Sequence, residues 1–162
     1  MSIIFRICRG FEIIKRIIYG NFGQTNYSAA KLSLVGFGQT LALEGEKHNI
    51  RVNMIAPVAA SRMTESLMPP VVLEKLKPEC VSPLVVYLCT EHIDVNGELF
   101  EVGAGAISRI ESLRSKGLAM NPDEISVEAV AAAWNRINDM GDAQVVRSIG
   151  ESTQLTLAHC MG

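Results

Sequence analysis

The sequence Tyr27-Ser28-Ala29-Ala30-Lys31 opens an apolar run that continues through Leu43. On a helix, a tyrosine and a lysine four residues apart stand one above the other on the same face. An ammonium group beside a phenol favours the phenolate, which makes the tyrosine a usable proton acceptor near neutral pH. Leu32, Val35, Leu41 and Leu43 supply apolar contacts, while Ser33, Gly36 and Gly38 are small enough to let another backbone come close. A helix is expected from Thr25 or Asn26, either one a suitable N-cap, to about Lys47. Gly20-Asn21-Phe22-Gly23-Gln24 forms a turn-rich approach to it. Gly36-Phe37-Gly38 lies inside the helical pattern rather than at a strand-to-helix turn, so it fails the structural condition for a dinucleotide fingerprint.

Downstream, residues 49–57 read Asn-Ile-Arg-Val-Asn-Met-Ile-Ala-Pro, with Ile50, Val52 and Met54 alternating before Ile55 and Ala56. That pattern suits a buried strand ending at a proline. Helix then strand over a short connection is half of an α/β repeat. The loop 58–70 leaves the strand's carboxyl end, where ligands sit in open α/β sheets. Short helices are expected at 71–77 and 83–89, the second with Ser82 as N-cap and Pro83 at its first position. A strand at 98–102 follows Asn96-Gly97 and closes on Gly103-Ala104-Gly105, glycines that suit a turn better than a phosphate loop.

Beyond Gly105 the character changes. Residues 107–120 are weakly helical, and Asn121-Pro122-Asp123-Glu124 signals a helix start. Val127, Val130, Trp134 and Ile137 then line one face of a helix ending near Gly141, a stripe suited to packing. Residues 143–162 read as linker or tail. Upstream, Ile3, Ile7, Phe11, Ile14 and Ile18 recur at helical steps in a basic setting. A mitochondrial presequence has that character too, but serine is scarce and no processing point follows. The expected divisions are therefore 1–17, a segment apart; 18–105, the α/β part; and 106–162, a helical extension with a tail.

The chain of 162 residues is 48% hydrophobic and 20% charged, with mean hydropathy +0.22, which fits a globular core. Net charge is −2, unevenly placed: residues 1–31 carry five basic side chains against Glu12, net +4, and the rest carries −6. No basic patch with interleaved aromatics points to nucleic acid. No apolar run reaches the length of a membrane span. Cys8, Cys80, Cys89 and Cys160 lie far apart and outside any metal-ligand spacing, so reduced thiols and no metal site are expected.

Taken together, Tyr27-Ser28-Ala29-Ala30-Lys31, residues 49–57, the loop to Thr64 and residues 96–105 resemble the second half of a short-chain dehydrogenase/reductase. Within that family the wording is similar to the (3R)-hydroxyacyl-CoA dehydrogenase units of peroxisomal multifunctional enzymes of type 2. The closer likeness rests on residues 19–24, 59–64, Met68-Pro69, 76–79 and 99–105, and residues 148–153 resemble the linker into a hydratase domain. The implied fold is α/β, a partial Rossmann-like arrangement lacking its N-terminal half and carrying a C-terminal helical extension.

The implied activity is hydride transfer between NAD and the 3-hydroxyl of a fatty acyl-CoA in β-oxidation. Tyr27 matches the family's proton acceptor and Lys31 the residue that binds the nicotinamide ribose. Pro57, Ala59, Ala60, Ser61, Arg62 and Thr64 match the loop that covers the nicotinamide side. Val58 stands where many relatives have glycine. The family's Gly-rich TGxxxGxG turn has no counterpart, since only Gly10 precedes Gly20, and its Asn-Ala-Gly segment is absent too. Its catalytic serine falls at the position of Ile14, which cannot donate a hydrogen bond.

Three expectations follow. The chain is a truncated, inactive-alone member of the family; or it is an interaction module pairing with an intact family member through the tyrosine-bearing helix; or it retains residual oxidoreductase activity. The family implies a peroxisome, but Ala158-His159-Cys160-Met161-Gly162 is not an SKL-like signal, so a cytosolic location is expected unless a partner carries the chain in.

Overall fold

A computed structural model describes residues 18–60 and 69–158. The expectations for residues 1–17, including Ile14, for Ser61, Arg62, Met63, Thr64 and Met68, and for the last four residues fall outside the described residues. Two compact units, Met1–Ile110 and Glu111–Gly162, divide the chain. The break after Ile110 lies beyond the boundary expected at Gly105.

In the first unit, helix α1 spans Thr25–Glu46. Neither proposed N-cap holds: Gln24 is the cap residue and no side chain closes the end, while Asn26 Oδ1 accepts from Tyr27 N at 2.8 Å. The C-terminus ends in a Schellman pattern. Ile50 N–H donates to Gly45 O at 3.0 Å, Asn49 N–H donates to Glu46 O at 2.9 Å, and Asn49 takes φ 54°. Asn49 therefore terminates the helix and does not begin a strand.

Strand β1 is Met54–Val58 and pairs in parallel with β2, Leu99–Gly103, in the register Met54↔Leu99. Strand β3, Ala106–Ile110, returns antiparallel to β2, giving the order β1-β2-β3. This corrects the helical reading of residues 107–120. Ala104 (φ 50°) and Gly105 (φ 82°) form a two-residue hairpin turn whose positive dihedrals match the twist of paired strands. The ladder it creates outweighs the weak local helix propensity of Ser108 and Arg109.

The short helices also shift. Helix α2 is Pro70–Leu73, followed by a 3₁₀ turn at Pro78–Cys80, where one helix over 71–77 was expected. Helix α3 is Ser82–Leu88; Ser82 is its first residue rather than its cap.

Strand alternation splits the core into two layers. On one side Met54, Ala56 and Leu99 pack with Val52 and with Ala42 of α1; on the other, Val102 packs with Val81, Leu84, Leu88 and Ile93, with Ile55 and Phe100 against them. Val52 and Val102 are fully buried, and each aliphatic side chain taken from water contributes about 1.5–3 kcal/mol. Helix α1 approaches this sheet closely because its inward face is Gly38, Ala42 and Gly45. A Cβ on Gly38 would overlap Met54 Sδ, whereas Gly36 faces open space, so only one of the two glycines expected to allow close approach does so. Leu32 and Leu43, expected as packing residues, are exposed.

In the second unit, β4 (Leu113–Arg114) pairs antiparallel with β5 (Gln144–Val145), flanked by α4 (Val127–Ile137) and α5 (Ile149–Leu157). Helix α4 starts at a cap supplied by Ser126, whose Oγ accepts from Ala129 N at 3.1 Å. The Asn121 signal makes a turn instead, with its Oδ1 accepting from Asp123 N at 3.2 Å. Helix α5 replaces the expected tail: Ser148 Oγ accepts from Glu151 N at 3.1 Å, and Glu151 Oε2 accepts from Arg147 N at 2.7 Å. Trp134 is 57% exposed rather than packed.

Candidate active site

Tyr27 and Lys31 occupy the first turns of α1, where Ala29 and Ala30 favour helix and bring the two side chains to one face. Lys31 Nζ lies 5.8 Å from the centre of the Tyr27 ring, within cation–π range, and both residues are half-buried.

Their place along the sheet follows from chain geometry. Helix α1 runs opposite to β1, and Gly38 packs over Met54 at the strand's start. From Gly38 back to Tyr27 is about 16 Å of helix. From Met54 to Val58 is about 13 Å of strand. The pair thus stands at the carboxyl end of β1, where residues 59 and 60 leave the sheet and where open α/β folds bind ligands.

Of the loop residues, Pro57 is buried within β1, and Ala59 packs against the Val81–Leu84 layer. Ala60 N–H donates to Leu76 O at 2.7 Å, which ties the loop's first turn to the segment before the 3₁₀ helix. Val58 is accommodated because the facing residue is Gly103, where a Cβ would overlap Val58 O.

Sequence reasoning missed the polar stitching that holds this frame. Asn96 Oδ1 accepts from Val52 N at 2.9 Å, and its Nδ2 donates to Ala42 O at 3.2 Å. Asn53 Nδ2 donates to Val95 O at 3.1 Å, and its Oδ1 accepts from Glu98 N at 3.1 Å. Arg109 and Glu98 add an ion pair at 2.7 Å. The Asn96-Gly97 dipeptide was the available signal, because it marks a turn whose asparagine must find partners. Among the described residues, no three His, Cys, Asp or Glu side chains gather as a metal site.

Residues 17–70 match the short chain dehydrogenase family. The chain is 50% identical over 128 residues to a short-chain type dehydrogenase/reductase of Mycobacterium tuberculosis, covering 79% of this chain and 44% of that protein. The chain belongs to the short-chain dehydrogenase family. It is also 50% identical over 138 residues to the mouse peroxisomal multifunctional enzyme type 2, covering 84% of this chain and 19% of that enzyme. The structure of the full-length Drosophila melanogaster multifunctional enzyme type 2 superposes with TM-score 0.81 at 35% identity, over 91% of this chain and 27% of that one. The chain spans less than half the length of these relatives. The sheet that superposes in this comparison is a parallel pair extended by an antiparallel strand.

Proposed function

We propose that this chain contributes the tyrosine–lysine half of an NAD-dependent 3-hydroxyacyl-CoA dehydrogenase site. The reading is supported by the Lys31 ammonium over the Tyr27 ring at the carboxyl end of β1. NAD, when bound, supplies the acceptor for the hydride that leaves C3 of the acyl chain. Tyr27 Oη would take the hydroxyl proton, and Lys31, beside the Tyr27 ring, would hold the nicotinamide ribose. Pro57, Ala59 and Ala60, at the end of β1 and the start of the loop after it, would lie on the nicotinamide side of the cofactor. These residues fit the nicotinamide end of the cofactor only. The sequence holds no TGxxxGxG motif for the pyrophosphate and has Ile14 at the position that matches the family's serine, which argues for an ineffective catalyst when these 162 residues act by themselves. Peroxisomal fatty-acid β-oxidation is the setting this reading implies.

A graft tests the roles. Residues 18–105 replace the corresponding stretch of the mouse relative, and oxidation of a (3R)-hydroxyacyl-CoA is followed by NADH absorbance. The account expects activity in the graft and its loss by about 100-fold or more on Tyr27→Phe. A folded graft that keeps its rate after Tyr27→Phe would remove Tyr27 from the chemistry.

One observation favours a second reading. The outward face of α1 leaves Leu32, Phe37 and Leu43 exposed at 48%, 55% and 70%, an apolar surface suited to docking on an intact family member. Co-purification with such a subunit supports that reading, and a chain that stays monomeric in its presence contradicts it.

A further inference from the structure

We infer that Asn96-Gly97 is a latent deamidation site, protected by the fold, whose conversion releases helix α1 from the entrance of β1. Asn96 is one of eight asparagines and the one followed by glycine. Glycine has no Cβ to obstruct attack by its own backbone nitrogen, so this dipeptide is the most reactive in the chain toward ring closure. In that reaction Gly97 N bonds to Asn96 Cγ and the carboxamide C–N bond breaks. Ammonia leaves with the proton from Gly97 N, and a succinimide remains. Water then adds to one of the two ring carbonyls and opens it to aspartate or isoaspartate.

Every group this chemistry needs is engaged in the folded chain. Gly97 N–H donates to Val52 O at 2.7 Å. The carboxamide is fixed at both ends, accepting from Val52 N at 2.9 Å and donating to Ala42 O at 3.2 Å. Ala42 and Val52 are 2% and 1% exposed, so water does not compete for these bonds. Attack requires the three to break together, which is a local opening rather than a side-chain fluctuation.

Conversion also prevents reclosure. Aspartate has no side-chain N–H to give Ala42 O, and its carboxylate would face that carbonyl; in isoaspartate Cγ carries the main chain into Gly97, so the free carboxamide that held Ala42 O is lost as well. Isoaspartate further lengthens the main chain just before β2, against the register Met54↔Leu99. The Ala42 contact ties the C-terminal half of α1 to the sheet, so chains that have opened once accumulate with α1 unlatched. No catalytic residue takes part.

The full chain is held at mildly alkaline pH, once folded and once in urea, and conversion at residue 96 is followed by peptide mapping and mass spectrometry. Conversion in urea with a rate about tenfold or more slower in the folded chain is expected. Equal rates would overturn the protection, and no conversion in urea would overturn the site. Asn96→Asp, which writes in one product, should lower the urea midpoint and speed amide exchange at Val52; a variant as resistant as the parent would overturn the latch. The rate comparison decides the matter even where that variant fails to fold.

Discussion

Among the described residues, the eleven buried hydrophobic ones, from Ala42 to Val102, all fall in the first unit, and none in the second is buried. The two regions therefore hold their elements by different means. In the first, a sheet is covered on both faces, and α1 can seat on it because Gly38 and Gly45 remove side chains from the contact. In the second, helices are defined at their ends: Ser126 caps α4, Ser148 and Glu151 cap α5, and Ser115 Oγ donates to Ile137 O at 2.8 Å. Burial places a site with precision, while capping fixes only where a helix starts. The Tyr27–Lys31 pair stands on the region of the first kind.

Substitutions should separate the two. Leu99→Ala empties part of the layer between the sheet and α1 and should cost about 2–5 kcal/mol by urea unfolding. A loss below about 1 kcal/mol would show that the layer is not packed as described. Asn53→Ala leaves Glu98 N–H and Val95 O without their partner and should cost about 1–3 kcal/mol, with faster exchange at Glu98 N–H. In the second unit, Ser148→Ala should cost α5 about 1 kcal/mol, read as reduced protection of the Glu151 amide, with the β1–β2 amides unchanged. Smallest of all, Arg147→Ala removes an ion pair at 3.1 Å whose arginine is 60% exposed. It should change stability by about 0–1 kcal/mol, and by less in high salt. Were the order reversed, with caps outweighing core, the distinction between the regions would fall.

The same contrast explains what the sequence made legible. Helix α1 was readable within a residue or so of its ends, because no proline interrupts its 22 positions and turn signals flank it on both sides. The Tyr27–Lys31 pair was readable because it is local. Strand β3 was not, because Ile107, Arg109 and their neighbours become a strand only by pairing with β2. Asn49 was misassigned because strand and left-handed helix stop share a polar residue before an apolar run. The bonds from Asn96 to Val52 and Ala42 span 44 and 54 positions, a separation that no local pattern encodes. Helix α5 did carry a signal, Ser148 with Glu151 three residues on, but sparse apolar residues masked it.

The central claim is that the chain supplies the nicotinamide half of a cofactor site and lacks the pyrophosphate half. Fluorescence titration of the full chain with NADH at micromolar protein tests it most directly. The account predicts no saturable binding in that range. A micromolar dissociation constant that Lys31→Ala abolishes would contradict it, since it would show a complete cofactor site within these 162 residues.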